Sequence, residues 1–202
     1  MNVLPFGDAA LLVELDGLDE VLGFAAAVGA ADLDGVIDVV PAAETVLVVT
    51  EPGTPLEPLV RRLTSLSFRS VAQAEGEPVE IAVVYDGPDL ADVARLTGLS
   101  EDQVVDAHTG TPWRIAFGGF APGFAYLTGG DPRLVVGRRD EPRTTVPAGA
   151  VGLAGEYSGV YPRSSPGGWQ LVGRTDAELW DAERSPPALL VPGGSVRFRA
   201  AS

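Results

Sequence analysis

The sequence predicts an α+β protein in which a small N-terminal α+β domain with a split βαβ arrangement precedes a mostly β domain of barrel or sandwich type. The first observation is a run of apolar residues at helical spacing, residues 18–31, between apolar runs of strand length. The second is a polar break at residues 73–78, QAEGEP. The third is that short apolar runs alternate with glycine and proline turns after His108, which is typical of a barrel or sandwich.

The N-terminal elements are predicted in the order β-α-β-β-α, which is most of a split βαβ sandwich. The second helix is expected to open at Thr54, which can cap it, because Pro55 suits the first turn and Glu57 completes a capping box. This helix is predicted to end near Leu66. The other elements predicted here are a helix at 18–31 and strands at 9–15, 36–40, 45–50 and 68–72.

The polar break separates two predicted domains, residues 1–76 and residues 77–202. An apolar strand at 79–85 opens the second domain. Most of the chain after His108 is predicted to form short strands. These predicted strands are 112–118, 124–127, 151–154, 169–173, 188–191 and 195–199, and 176–181 is the one further segment with helical character.

Two short helices are expected near the start of the second domain. Asp89 can cap a helix at 90–97 through its side chain. Ser100 and Gln103 form a second capping box, for a helix at 101–107.

All fourteen basic residues are arginine, and the formal net charge is −14. The absence of lysine excludes a phosphate-loop lysine, a Schiff-base lysine and a biotinyl-lysine within this chain. The acidity argues against nucleic acid as a partner, because phosphates would be repelled. The absence of cysteine excludes thiolate chemistry and fits a cytoplasmic protein. We find no signal peptide and no apolar run of roughly 20 residues, and therefore expect no membrane association.

His108 is the only histidine of the chain and follows a predicted helix. Because its pKa is the nearest to neutrality among side chains, it is a candidate general acid or base. It could equally be a structural residue stabilised by the dipole at the helix C-terminus. With one histidine and no cysteine, we expect no metal site in this chain.

The segment after His108 is rich in glycine and aromatic residues. Gly118 and Gly123 permit backbone conformations or close approaches that a Cβ would block. Phe120, Phe124 and Tyr126 alternate, so in an extended stretch they would share one face. This pattern is compatible with a ligand-facing loop and equally with a barrel corner whose aromatic side chains lie in the core.

Two arginine-bearing segments downstream are candidate anion sites. Arg143 lies beside two threonines and ahead of Pro147, and an arginine in a turn-rich β domain can hold a carboxylate bidentately. Gln170 and Arg174 are four residues apart, so on an unbroken strand they would share a face and set an amide beside a guanidinium. The alternatives are a solvated surface arginine and a structural hairpin with its polar residues outward.

A series of motifs makes a family recognisable. They are, in order, GDAALLVEL, YDGPDLADVA, GFAPGFAYL, DPRL, PRTTVPAGAVGLAG, SPGGWQLVGRT and PGGSVRF. Together they resemble the 5-oxoprolinase B-subunit family, also called allophanate hydrolase subunit 1, or KipI after a member that inhibits a sporulation histidine kinase. The resemblance covers nearly the whole chain. The chain departs from the usual loop pattern at Ala125, where proline is common, and at Thr128, where glycine is common.

The resemblance implies a fold, partners and an activity. It implies that the second domain is a cyclophilin-like β barrel, without implying prolyl isomerase activity. It implies a partner like the 5-oxoprolinase C subunit (allophanate hydrolase subunit 2), the pair resembling the carboxyltransferase part of urea carboxylase, and a partner like the A subunit. The complex would hydrolyse 5-oxo-L-proline to L-glutamate, using ATP that this chain is not expected to bind through a Walker motif. The alternatives are inhibition of a sensor histidine kinase and a carboxyltransferase-like role on urea or an allophanate-type substrate.

The resemblance also implies the site residues. The candidate catalytic residues are His108, Arg143 and Arg174. The candidate substrate-binding residues are Gly118, Phe120, Pro122, Gly123, Phe124, Tyr126, Pro147, Ala148, Gly149 and Gln170. Arginine and backbone amides suit a substrate whose lactam oxygen gains charge and whose carboxylate must be anchored.

Overall fold

The computed structural model describes residues 1–69 and 76–201. Backbone contacts divide the chain into two compact units, Met1–Gln73 and Ala74–Ser202. The predicted boundary at residue 76 lies next to this division. Among the described residues, no helix has both the length and the apolar character needed to cross a bilayer.

The first unit is a four-stranded antiparallel sheet with two helices. Its elements are β1 (Asn2–Pro5), β2 (Ala10–Glu14), α1 (Leu18–Ala31), β3 (Val36–Pro41), β4 (Thr45–Thr50) and α2 (Leu56–Thr64). Since β2 and β3 both pair antiparallel with β4, they run parallel to each other and α1 connects them, which is the predicted split βαβ arrangement. Sequence analysis missed β1, because four residues that end in proline give no usable alternation.

The helices pack on one face of this sheet. Alternation along β2 buries Leu11 and Val13, and Phe24 of α1 lies against the same core. Leu59 and Leu63, one turn apart on α2, pack into the same core. Each fully buried side chain of this size contributes about 1.5–3 kcal/mol to stability. Of the predicted strand at 68–72, residues 70–72 lie outside the described residues.

The predicted cap of α2 is wrong. The helix begins at Leu56, and Pro55, in extended conformation, takes the N-cap position without a side-chain hydrogen bond. Thr54 therefore lies one residue outside the position from which a hydroxyl reaches the first-turn amides. The other capping box is confirmed, since Ser100 Oγ accepts from Gln103 N–H at 3.2 Å and Gln103 Oε1 accepts from Ser100 N–H at 2.9 Å.

The second unit is a β barrel with two helices near its start, which confirms the predicted fold class. Its helices are α3 (Leu90–Thr97) and α4 (Glu101–Gly110). Its strands are β5 (Val79–Val83), β6 (Trp113–Gly118), β7 (Ala125–Thr128), β8 (Arg143–Val146), β9 (Ala150–Ala154), β10 (Tyr157–Val160), β11 (Ser165–Gly167), β12 (Gln170–Arg174) and β13 (Ser195–Ala200). A 3-10 turn at Pro132–Leu134 comes after β7.

Seven strands form the barrel wall in the order β12-β9-β10-β7-β6-β13-β5. Val84, just beyond β5, and Arg174 exchange both backbone hydrogen bonds at 2.9 Å, which links the two end strands. This closure leaves little unpaired edge. Strands β8 and β11 pair in a separate two-stranded sheet.

Two predicted elements of the second unit are wrong. Residues 176–181 form no helix, because Leu179 and Trp180 pair in extended conformation with Leu189 and Ala188. Residues 188–191 contribute only this isolated bridge instead of a strand. Prolines at positions 186, 187 and 192 remove the amide donors that a longer ladder would need.

Replacing Ser100 with alanine is expected to lower the free energy of unfolding by about 1 kcal/mol, because the Gln103 amide loses its acceptor. Chemical denaturation followed by circular dichroism measures the loss. Thr54→Ala is the matched control, and its effect should stay within about 0.5 kcal/mol, since no side chain caps α2. Equal losses in the two variants would contradict the assignment of the caps.

Candidate functional site

A buried carboxylate, Asp89, connects the start of α3 with three other segments of the second unit. Its Oδ1 accepts hydrogen bonds from Arg139 Nη1 and Arg143 Nη2, each at 2.7 Å. Its Oδ2 accepts from Leu171 N–H at 2.7 Å, and its own N–H donates to Leu171 O at 3.0 Å. Asp89 is 1% exposed, so these donors supply the compensation that a buried negative charge requires.

The Asp89 side chain does not cap α3, contrary to the sequence-based prediction. Its backbone takes the N-cap position, but its carboxylate forms no bond to the first turn. Hydrogen bonds from guanidinium groups are stronger than those from neutral amides, and they hold the carboxylate elsewhere. Burial raises the pKa of Asp89, but the hydrogen bonds from Arg143 and Leu171 and the charges of Arg143 and Arg139 together lower the pKa below its ordinary value.

A cavity of about 330 Å³ brings four predicted site residues together. Arg143 and Arg174 line it together with Asp86, and Pro147 and Ala148 supply apolar wall. Its volume lies within the range of roughly 300–1,000 Å³ that is typical of ligand pockets. The arrangement sets two guanidinium groups and one carboxylate around a space suited to a small molecule.

The two arginines of this cavity are held differently. Arg174 is exposed, and its Nε donates to Asp86 Oδ2 at 2.9 Å. Such a surface ion pair contributes only about 0–1 kcal/mol, so a ligand can replace it. Arg143 is fixed by the buried Asp89, and its Nη1 has no hydrogen-bond partner among the described residues. Arg143 is therefore positioned by the protein, and its unpartnered Nη1 is itself buried.

The turn that carries Pro147 and Ala148 requires glycine at position 149. Gly149 has a φ of +78°, and a Cβ there would lie 2.1 Å from Thr175 O. Its N–H donates to Tyr161 O at 2.7 Å, and its carbonyl accepts from Thr175 N–H at 2.9 Å. Gly149 thus holds the turn against the residue that comes directly after β12.

The predicted placement of Gln170 and Arg174 on one face is wrong, because β12 is not regular. Its register with β9 shifts between Leu171 and Gly173, and the extra residue of this bulge interrupts the alternation of side chains. Gln170 is buried, and its Nε2 donates to Gly137 O at 3.2 Å. Gln170 lines a different cavity from Arg174.

His108 lies in the barrel core at 0% exposure, which favours the structural alternative over a direct acid or base. Its Nδ1 lies 2.7 Å from the Tyr85 hydroxyl and its Nε2 lies 2.8 Å from Ser158 Oγ. Its ring stacks on Phe198 with centroids 4.3 Å apart. Burial lowers the pKa of His108 to about 3, which keeps the imidazole neutral. Among the described residues, no group of three or more histidine or acidic side chains could hold a metal ion.

The glycine-rich and aromatic segment after His108, residues 118–126, does not line the cavity of Arg143 and Arg174. Residues 119–124 form turns instead of the extended stretch on which a shared aromatic face depends. Phe124 is buried, whereas Phe120 is 57% exposed with a φ of +62°. Their rings meet edge to face at 5.3 Å, and Tyr126 packs on Phe124 at 5.1 Å. The predicted residues placed apart from this cavity are Gly118, Phe120, Pro122, Gly123, Phe124 and Tyr126.

Sequence reasoning missed the acidic residues that organise the arginines. Asp86 and Asp89 flank Gly87 and Pro88 immediately after a strand. A Cβ at Gly87 would lie 2.3 Å from Leu171 O, so the turn must run directly against β12. Two acidic residues on a Gly-Pro turn, in a chain whose cations are all arginine, are the signal that could have indicated these ion pairs.

Comparison with known proteins places the chain in a family. A family model described as the carboxyltransferase domain, subdomain C and D, matches residues 1–190. The chain belongs to this carboxyltransferase family. It is 44% identical to the 5-oxoprolinase B subunit of Escherichia coli O157:H7 over 83% of this chain and 79% of that protein. It is 34% identical to the 5-oxoprolinase B subunit of Haemophilus influenzae over 98% of this chain and 97% of that protein. The resemblance to the B-subunit family is confirmed.

Solved structures of other proteins share the fold. The protein TTHA0988 is 36% identical, with a TM-score of 0.82 over 96% of this chain and 40% of its own. Urea carboxylase from Kluyveromyces lactis is 17% identical, with a TM-score of 0.75 over 99% of this chain and 22% of its own, and this likeness concerns the fold alone. This carboxyltransferase-family chain thus spans less than half of either of these longer chains.

Asp89→Asn is expected to destabilise the second unit by about 3–5 kcal/mol, because Arg139 and Arg143 lose their shared anion. The pKa of Asp89 is lower in the native state than in the unfolded chain, where it is about 3.9. Its contribution to the free energy of unfolding is therefore present above this unfolded pKa and is lost as pH falls through the native pKa. Denaturant titrations at pH 7 and pH 3 measure this loss. Asp92→Asn, which breaks only the exposed pair with Arg95, serves as control.

The pH dependence of stability reports on His108. The unfolded chain binds a proton near pH ~6.5, whereas the native pKa is about 3, so stability is full above pH ~6.5 and declines below it. Titration of His108 is expected to lower the free energy of unfolding by up to about 1.4 kcal/mol for each pH unit of acidification. His108→Gln should flatten the slope between pH 6.5 and 5, and no other histidine titrates there. An unchanged slope would contradict the buried neutral imidazole.

Proposed function

We propose that the chain is the B subunit of an ATP-dependent 5-oxoprolinase complex that hydrolyses 5-oxo-L-proline to L-glutamate together with partners like the C subunit and the A subunit. The names of its relatives support this proposal. The observation that carries the site assignment is the cavity in which Arg143 and Arg174 lie beside Asp86. The chain has no lysine and so offers no phosphate-loop site, and ATP is proposed to bind elsewhere in the complex.

The charges of the cavity match the substrate, which has one carboxylate and one lactam carbonyl. Arg174 can exchange its exposed pair with Asp86 for the substrate carboxylate, which a guanidinium holds bidentately. Arg143, fixed by Asp89, is proposed to stabilise the negative charge that develops on the lactam oxygen.

Asp86 is the proposed proton acceptor in this cavity. In the proposed overall reaction the oxygen of one water adds to the lactam carbonyl carbon, the ring C–N bond breaks, and the nitrogen leaves as an amine that takes up a proton. ATP is hydrolysed by a second water to ADP and phosphate elsewhere in the complex. When Arg174 turns to the substrate carboxylate, the Asp86 carboxylate loses its ion-pair partner and can accept a proton from the water.

A carboxyltransferase-like role on urea or an allophanate-type substrate is the second candidate. It is favoured by 34% identity to urea amidolyase of Saccharomyces cerevisiae over 52% of this chain and 6% of that protein. Because this chain has no lysine, that role requires a biotin-carrying partner. The two candidate functions differ in the substrate that the complex turns over, which is 5-oxo-L-proline for the first and urea or an allophanate-type compound for the second.

Coexpression of the three proteins of the complex is expected to give glutamate from 5-oxo-L-proline only in the presence of ATP. Arg143→Ala and Arg174→Ala should each lower kcat/KM by about 100-fold or more, as loss of a donor to a developing oxyanion or of a substrate clamp typically does. The measurement is glutamate formation against substrate concentration.

Arg199→Ala is the control, since Arg199 is exposed, pairs with Glu80 and does not line the cavity. It should retain full activity. Wild-type activity of both cavity variants in a complex that requires this chain would refute the site assignment. Turnover of urea, with none of 5-oxo-L-proline, would favour the carboxyltransferase-like role.

A further inference from the structure

A second cavity, of about 440 Å³, lies between the segment 137–141, α3 and Gln170. It shares no lining residue with the cavity of Arg143 and Arg174. Its volume also suits a small molecule. None of the proposed catalytic residues lines this second cavity.

The side-chain amide of Gln170 lines this cavity and has an unused acceptor. Gln170 is 6% exposed, and its Nε2 donates to Gly137 O. This bond fixes the orientation of the carboxamide, so Oε1 is the acceptor and has no donor among the described residues. A ligand N–H at this place could donate to Oε1, whose orientation the protein already fixes.

Charges of both signs line the cavity. Arg95 pairs with Asp92 at 3.0 Å, and Arg139 pairs with Asp89 at 2.7 Å. Arg138, Asp140 and Glu141 all contribute to its wall. Within the part of the chain that the structure describes, none of the three forms a side-chain hydrogen bond or ion pair. A lone anion would meet two carboxylates here, and a lone cation would meet a guanidinium, whereas a ligand with both charges meets a partner for each.

The polar groups of the cavity are held in place by Asp89. Arg139, next in sequence to Arg138, is bonded to Asp89 Oδ1. Leu171, next in sequence to Gln170, is bonded to Asp89 Oδ2. One buried carboxylate therefore holds a guanidinium on one side of the cavity and a backbone amide on the other, and the Arg139 backbone N–H is fixed separately by Gly168 O at 2.8 Å. Such fixed groups lower the entropy lost when a ligand binds.

We propose that this second cavity binds a free α-amino acid as its zwitterion. The ligand carboxylate accepts from Arg138, and the ligand ammonium donates to Gln170 Oε1 and to Asp140 or Glu141. The proposal is independent of the proposed 5-oxoprolinase activity, because it concerns binding to other residues of the chain.

Titration of the ¹⁵N-labelled full chain, followed by amide NMR, tests the proposal with L-glutamate as the probe. We expect saturable binding with a Kd on the order of 1 mM, as for a ligand of about ten heavy atoms. The shifted signals should be the backbone amides of residues 137–141 and the side-chain amide of Gln170. Glutarate, which lacks the ammonium, should bind at least about 10-fold more weakly, because it loses charge-assisted hydrogen bonds.

Variants identify the cavity that is occupied. Arg138→Ala and Gln170→Met should each weaken L-glutamate binding at least about 10-fold, and Arg138 is exposed, so its removal leaves the core intact. Arg199→Ala should bind as the wild type does, and Arg174→Ala should leave the signal shifts of residues 137–141 unchanged. Equal affinity for glutarate, unchanged affinity in Arg138→Ala, or shifts confined to the Arg174 cavity would each overturn the proposal. Since no turnover is measured, these outcomes do not bear on the 5-oxoprolinase activity.

Discussion

The Asp89 carboxylate determines how the polar side chains of the second unit are arranged. Donors from three separate segments converge on it, namely Arg139, Arg143 and the Leu171 amide. A buried ion is tolerated only when its charge and lone pairs are compensated, so these segments cannot shift independently. Each cavity is lined by one of these two arginines, and both cavities therefore take their geometry from the same ion.

Barrel closure and one bulge decide which side chains enter which cavity. The backbone pair between Val84 and Arg174 brings the end of β12 beside the residue after β5, so that Arg174 meets Asp86. The bulge then separates Gln170 from Arg174. A regular β12 would have placed the amide and the guanidinium on one face, in one larger polar site. The irregular strand instead yields two cavities with different charge patterns.

The sequence predicted local structure well where periodicity or a cap determines it, as in helix 18–31 and the Ser100 box. It missed β8, β10 and β11, whose short, polar or Gly-rich residues become strands only through distant partners. His108 could not be placed, because its neighbours Tyr85 and Ser158 are 23 and 50 residues away. Family motifs pointed to the arginines, but no motif reveals a bulge or a shared anion.

Four arginines around Asp89 and Asp86 differ in how readily they can bind a ligand. Arg139 and Arg143 are bonded to a buried carboxylate, and a ligand that drew either away would leave that charge partly uncompensated. Arg174 has only an exposed partner, and Arg138 has none among the described residues. Each cavity thus combines an arginine that Asp89 holds fixed with a more exposed one that can move to a ligand, and the second cavity also contains Arg95, which pairs with Asp92. Fixed cations suit charge that develops during a reaction, whereas mobile ones suit capture of a carboxylate already present, because only the former are preorganised.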